Sequence, residues 1–126
     1  MSASTRKFII AGALSAALAI GLGAFGAHAL RTSLSPRMLE IYHTAVLYHL
    51  VHSLGLLAVA FVCFLKPASR AAEFSGWLMS AGIILFSGSL YMLAVTGLKW
   101  LGVITPLGGI ALMAAWLLLA AAALRS

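Results

Sequence analysis

The chain of 126 residues contains no aspartate, asparagine or glutamine, and its only acids are Glu40 and Glu73. Paired-carboxylate catalysis, aspartate-centred triads and N-glycosylation therefore lack their residues. Cys63 stands alone, which rules out an internal disulfide and leaves the redox compartment open. Charge is scarce as well. Only 8% of residues are charged and 63% are apolar, whereas a soluble domain has about 25% and about 45–50%. Mean hydropathy is +1.12. The net charge of +6 comes from eight Lys and Arg scattered through the termini and connections. That distribution suits helix ends meeting anionic headgroups, so the expected partner is the lipid bilayer and not nucleic acid.

Between these charges lie four uncharged stretches, Phe8–Leu30, Ile41–Leu65, Phe74–Leu98 and Trp100–Leu124, of 23, 25, 25 and 25 residues. Crossing about 30 Å of hydrocarbon at 1.5 Å per residue needs about 20 residues. The fold class predicted is all-α: an integral membrane protein forming a compact up-down bundle of four transmembrane helices. It is a single domain over residues 1–126, with spans at about 8–30, 43–65, 74–97 and 105–124. Arg6 and Lys7, followed by an apolar run ending in Ala27-His28-Ala29, also fit a cleaved signal peptide. The run is longer than such a segment needs, and its glycines suit helix contact, so an uncleaved span is expected.

Ser35 and Pro36 mark the start of the second helix, and Lys66-Pro67 its end. Its first turns, up to Tyr42, are expected to lie in the interface. Gly97 reads as a C-terminal cap. Thr105-Pro106 reads as cap and first position of the fourth helix. Trp77 and Trp100 sit near span ends, as belt aromatics do. Trp116, near the middle of the last span, is expected to donate its indole N–H inside the bundle. Arg6, Lys7, Lys66, Arg70 and Arg125 fall on one side, and Arg31, Arg37 and Lys99 on the other. The excess of positive charge places both termini in the cytoplasm.

Gly21-Leu-Gly23-Ala-Phe-Gly26 matches the G-x-G-x-x-G dinucleotide fingerprint, but that motif works only in a strand-to-helix turn. Here it falls inside an apolar helix and is better read as packing surface. Gly12, Ala16, Ala19, Gly23 and Gly26 lie within about 40° of one line, and Ala13, Ala17, Gly21, Ala24 and His28 form a second, roughly opposite one. Small residues let helix backbones approach in lipid. The first helix is therefore expected to have protein neighbours on two sides. On the third helix, Gly76, Ser80, Ser87, Tyr91 and Ala94 share a face, while Ser75, Gly82, Ser89 and Thr96 share another. Gly12, Gly23, Gly26 and Gly82 are the packing glycines selected, and spare faces make a homo-oligomer an open expectation.

The histidines carry most information. Tyr42, His49 and Ser53 lie within about 20° of one line on the second helix, with His52 about 80° to one side. His28 and His43 belong at the interface. Counted from His43, His49 lies about 9 Å deep and His52 about 13 Å deep. Tyr91, Ser87 and Ser89 reach matching depths from Gly97. A polar cluster of His49, His52, Ser53, Ser87, Ser89 and Tyr91 is therefore expected in the half of the bundle away from the termini. Such groups face the bundle interior and need partners. Three readings stay open: a satisfied structural network, a small-solute or proton path using histidine titration, and a haem or metal site at His49 and His52. With no cysteine or carboxylate beside them, a closed four-ligand metal site within one chain is not expected.

Four segments together carry a family resemblance: Gly23-Ala-Phe-Gly-Ala-His28-Ala-Leu30, Tyr42-His43 through His49 and His52, Phe86-Ser-Gly-Ser-Leu-Tyr91 with Thr96-Gly97, and Ile104-Thr-Pro-Leu-Gly-Gly109. The chain resembles the YgdD/YwdK-like proteins, small inner-membrane proteins with relatives in eukaryotes, grouped as a domain of unknown function. The resemblance implies a four-helix protein of the bacterial inner membrane and supplies no catalytic residue, substrate or cofactor. Small multidrug exporters of similar size need a glutamate inside the first span, and fluoride channels need asparagines; neither is present. The expectation is a non-enzymatic accessory, assembly or packing partner with no cofactor or metal and an unidentified membrane-protein partner. The alternative is a protein handling a small solute, proton, haem or metal at the His/Tyr/Ser cluster.

Overall fold

Serine hydroxyls start three of the four helices. In a computed structural model describing residues 1–125, α1 covers Ala3–His28, α2 Pro36–Leu65, α3 Arg70–Thr96 and α4 Thr105–Leu124. Ser2 accepts from the Thr5 N–H at 3.1 Å, Ser35 from Met38 at 3.2 Å and Ser69 from Ala72 at 3.2 Å. Each satisfies one of the orphan donors of a first turn. α2 stops at Lys66, before Pro67, and α3 ends on Gly97, whose φ of 71° is the left-handed conformation that glycine takes without strain. All four helices are long and apolar enough to cross a membrane, and no strand occurs among the described residues.

α4 departs from the expected start. Thr105 is not its cap: the helix begins at Thr105 itself, and Ile104 precedes it in helical conformation. The cause is a 3-10 turn over Lys99–Val103 that runs into α4. The Ile104 carbonyl then accepts from Leu107 and Gly108, serving N–H groups that a capping hydroxyl would have served. The Thr105 hydroxyl is spent on Ser89, at 2.6 Å.

Each helix packs against the next in sequence, α2 also touches α4, and α1 does not pack along α4. The core between α2, α3 and α4 is filled by Leu56, Val59, Met79, Ile83, Leu112 and Leu119. Close approach is bought with missing side chains. A Cβ on Gly12 would stand 2.9 Å from the Ser53 carbonyl oxygen. One on Gly82 would meet Leu112 at 2.5 Å, and one on Gly108 would collide with the Phe86 backbone. The Tyr42 ring occupies the space over Gly26, and Val46 faces Gly23.

The expectation of protein neighbours on both sides of α1 is corrected. Gly12, Ala19 and Gly26 are buried, but Ala13, Ala17, Gly21, Ala24 and His28 are all exposed. A sequential bundle leaves α1 at the edge, with α2 as its main neighbour. α3, between α2 and α4, does bury both of its small-residue faces, through Gly76 and Ser87 on one and Ser75, Gly82 and Ser89 on the other.

α1 and α3 meet at the end where both begin. Phe8 lies over Gly76 and edge-on to Trp77, with ring centroids 5.6 Å apart. Lys7 Nζ donates to Glu73 Oε1 at 2.6 Å, and that bond holds the Glu73 carboxyl below its ordinary pKa. At the same end Lys66 Nζ donates to the Ala122 carbonyl at 2.9 Å and to those of Ala123 and Arg125, tying α2 to the open C-terminus of α4.

Two glycines test this packing. Gly108→Ala drives a methyl into backbone and is expected to destabilise by about 1–3 kcal/mol. Gly21→Ala meets nothing within 4 Å and is expected to be neutral or to stabilise by up to about 1 kcal/mol. Reversible unfolding in mixed micelles reads both; equal effects would contradict the assigned α3–α4 contact.

Candidate functional site

His49 is buried on α2 and bonds to both flanking helices. Its Nδ1 lies 2.9 Å from the Tyr91 hydroxyl of α3, and its Nε2 lies 3.1 Å from the Ser15 hydroxyl of α1. Ser15 Oγ is in turn 2.6 Å from Ser53 Oγ, and Ser53 donates to the His49 carbonyl at 2.7 Å. Tyr91 packs edge-on against Tyr42 at 5.3 Å, and Tyr42 donates to the Leu22 carbonyl at 2.5 Å. Ser87 donates to the Ala45 carbonyl at 2.8 Å.

The direction of every bond in this chain follows from one end. A carbonyl oxygen only accepts, and a serine has one proton. Ser53 gives its proton to the His49 carbonyl, so Ser15 must donate to Ser53. With that proton committed, Ser15 accepts from His49, whose Nε2 therefore carries the hydrogen. Neutral His49 then has a bare Nδ1, and Tyr91 donates to it. The order runs Tyr91 O–H to His49 Nδ1, His49 Nε2–H to Ser15, Ser15 O–H to Ser53, and Ser53 O–H to the carbonyl. Each donor in the chain is used.

The expected single cluster is corrected: it divides in two. His49, Ser53, Ser87 and Tyr91 come together. His52 instead turns toward α4, where its ring lies 5.8 Å from Trp116, and its Nδ1 donates back within α2 to the Tyr48 carbonyl at 2.7 Å. Ser89 also faces α4, bonding Thr105 and the Phe86 carbonyl. The 80° offset of His52 on α2, with α4 on that side, accounts for the split. Trp116 is corrected too: its indole packs against His52 and makes no hydrogen bond among the described residues. His28 and His43 are exposed and take no part. Among the described residues, no three His, Cys, Asp or Glu side chains gather as a metal centre would need.

Ser15 is the residue that sequence reasoning missed. Its signal was available, since it is the one hydroxyl between Phe8 and Leu30, in a helix otherwise made of small and apolar residues.

Beyond the Phe8 contact, α1 and α3 separate, and a groove of about 380 Å³ opens between them. Leu14, Leu18 and Leu22 of α1 form one wall, and Ile83, Ile84, Ser87, Gly88 and Tyr91 of α3 the other. His49 and Ser15 form the floor. Leu14, Leu18 and Ile84 are exposed, so the groove opens on the outer surface of the bundle, toward lipid.

A family profile described as protein of unknown function (DUF423) matches residues 22–109. The chain is 50% identical over 120 residues to the UPF0382 membrane protein YwdK of Bacillus subtilis, covering 95% of this chain and 98% of that protein. It is 45% identical over 114 residues to a UPF0382 membrane protein of Staphylococcus saprophyticus, covering 90% and 93%. A UPF0382 membrane protein of Staphylococcus aureus (strain USA300) is 43% identical over 114 residues, covering 90% and 92%. No solved structure matches.

Ser15→Ala removes the acceptor of His49 Nε2–H and the donor to Ser53. It is expected to destabilise by about 1–2 kcal/mol, since hydrogen bonds within membranes are modest. Ser80→Ala is the control, because Ser80 only bonds back to the Gly76 carbonyl at 2.9 Å; it is expected to change stability by less than about 0.5 kcal/mol. Equal unfolding free energies for both variants would remove Ser15 from the network.

Proposed function

The chain belongs to the DUF423 family of UPF0382 membrane proteins, and on that footing we propose that it is a non-enzymatic binding protein of the inner (cytoplasmic) membrane. In this reading it crosses the membrane four times with both termini in the cytoplasm, following the excess of positive charge at that end. Its groove between α1 and α3 takes up a small membrane-dissolved molecule. The observation that carries the reading is the groove itself: about 380 Å³ lies within the range of small-molecule sites. Apolar walls and a few convergent polar groups are the composition such sites have.

The network supports binding over proton conduction. A proton path needs groups that release and regain protons along a continuous line, whereas here the line ends on a backbone carbonyl and His52 faces another helix. An assembly role draws on a separate observation, the exposed small-residue face of α1 from Ala13 to His28.

Gly88 allows a direct test. A Cβ there would meet nothing within 4 Å, yet the residue lines the groove. Gly88→Leu is therefore expected to fold normally and fill the site. Native mass spectrometry from mild detergent is expected to show an apolar adduct on the wild type and on Ala120→Leu, an exposed α4 control, and none on Gly88→Leu. No adduct on the wild type, or the same adduct on Gly88→Leu, would overturn the reading.

A further inference from the structure

Resting on the groove reading above, we infer that the ligand is an apolar molecule bearing a hydroxyl group, held by donation of that hydroxyl to the oxygen of Tyr91. The proton order decides the matter. Tyr91 gives its hydrogen to His49, Ser15 gives its own to Ser53, and Ser87 gives its own to the Ala45 carbonyl. The groups lining the groove have therefore spent their donors inside the protein, and what they offer a guest is oxygen lone pairs. A ketone, ester or ether finds no donor there. An alcohol or phenol finds an acceptor at Tyr91, about 9 Å below the interface, where neither water nor lipid tails supply any.

Reversing the order is a concerted change. For Tyr91 to donate into the groove, His49 must take the other tautomer, Ser15 must turn to Nε2, and Ser53 must leave the His49 carbonyl to supply Ser15. That sequence ends with one hydrogen bond fewer, so the acceptor floor is the state a ligand meets.

The test uses two photoreactive probes of equal length, a diazirine-bearing fatty alcohol and its methyl ether, with the full chain in lipid vesicles. The alcohol is expected to label the Leu14–Leu22 and Ile83–Tyr91 segments saturably, at about tenfold lower mole fraction than the ether, the worth of one net hydrogen bond. Gly88→Leu is expected to lose saturable labelling by either probe. Ser15→Ala and Tyr91→Phe are expected to narrow the advantage of the alcohol while leaving the ether unchanged. If both probes label wild type equally and Gly88→Leu blocks both, the groove reading stands and the hydroxyl inference is overturned. If neither labels these segments saturably, both fail. A dimer that only Gly88→Leu dissociates would put a second copy in the groove and overturn the inference as well.

Discussion

The hydrogen bond from Ser53 to the His49 carbonyl is the constraint on which the network joining α1, α2 and α3 depends. An i to i−4 back-bond of this kind is ordinary in a membrane helix, and alone it does little. Here it fixes the proton of the last hydroxyl in a chain and so orients Ser15, His49 and Tyr91 in turn. Three helices are joined through one imidazole, with no charge taken into the hydrocarbon. A buried neutral histidine with both nitrogens paired avoids the penalty that makes polar groups rare at this depth.

The same arrangement produces the groove. α1 and α3 are held together at one end by Lys7–Glu73 and by Phe8 seated over Gly76. Farther along, each is attached to α2 and to His49 instead of to the other. Two helices that touch at one end and share a spacer at the other leave a cleft between them. Its walls are whatever apolar side chains fall there, and its floor is the spacer's polar contact. Gly88 deepens it by omission.

Much of this was legible in the chain. Span number and connections follow from the spacing of charges, and Ser35, Pro36, Pro67 and Gly97 mark ends that the structure keeps. That His49 and Tyr91 stand at one level was legible from depth, since both lie the same number of turns from their interface. What periodicity left open was the azimuth of neighbours. Helical angles place His52 off the His49 line without saying that α4 stands on that side, and they present two small faces on α1 without saying which is covered. Ser15 stood out as the lone hydroxyl of its span, but its partners were hidden for a related reason: a serine in an alanine-rich helix gains meaning only from what faces it. The 3-10 turn before α4 has no periodic signature at all.

The central claim is the proton order at His49, and nitrogen-15 NMR of histidine-labelled protein in nanodiscs reads it directly. Two-bond proton–nitrogen couplings distinguish the two neutral tautomers of an imidazole, and the His49→Phe variant assigns the signal. The account predicts that His49 is neutral, with hydrogen on Nε2 and Nδ1 accepting from Tyr91. A His49 ring protonated on Nδ1, or on both nitrogens at neutral pH, would contradict it.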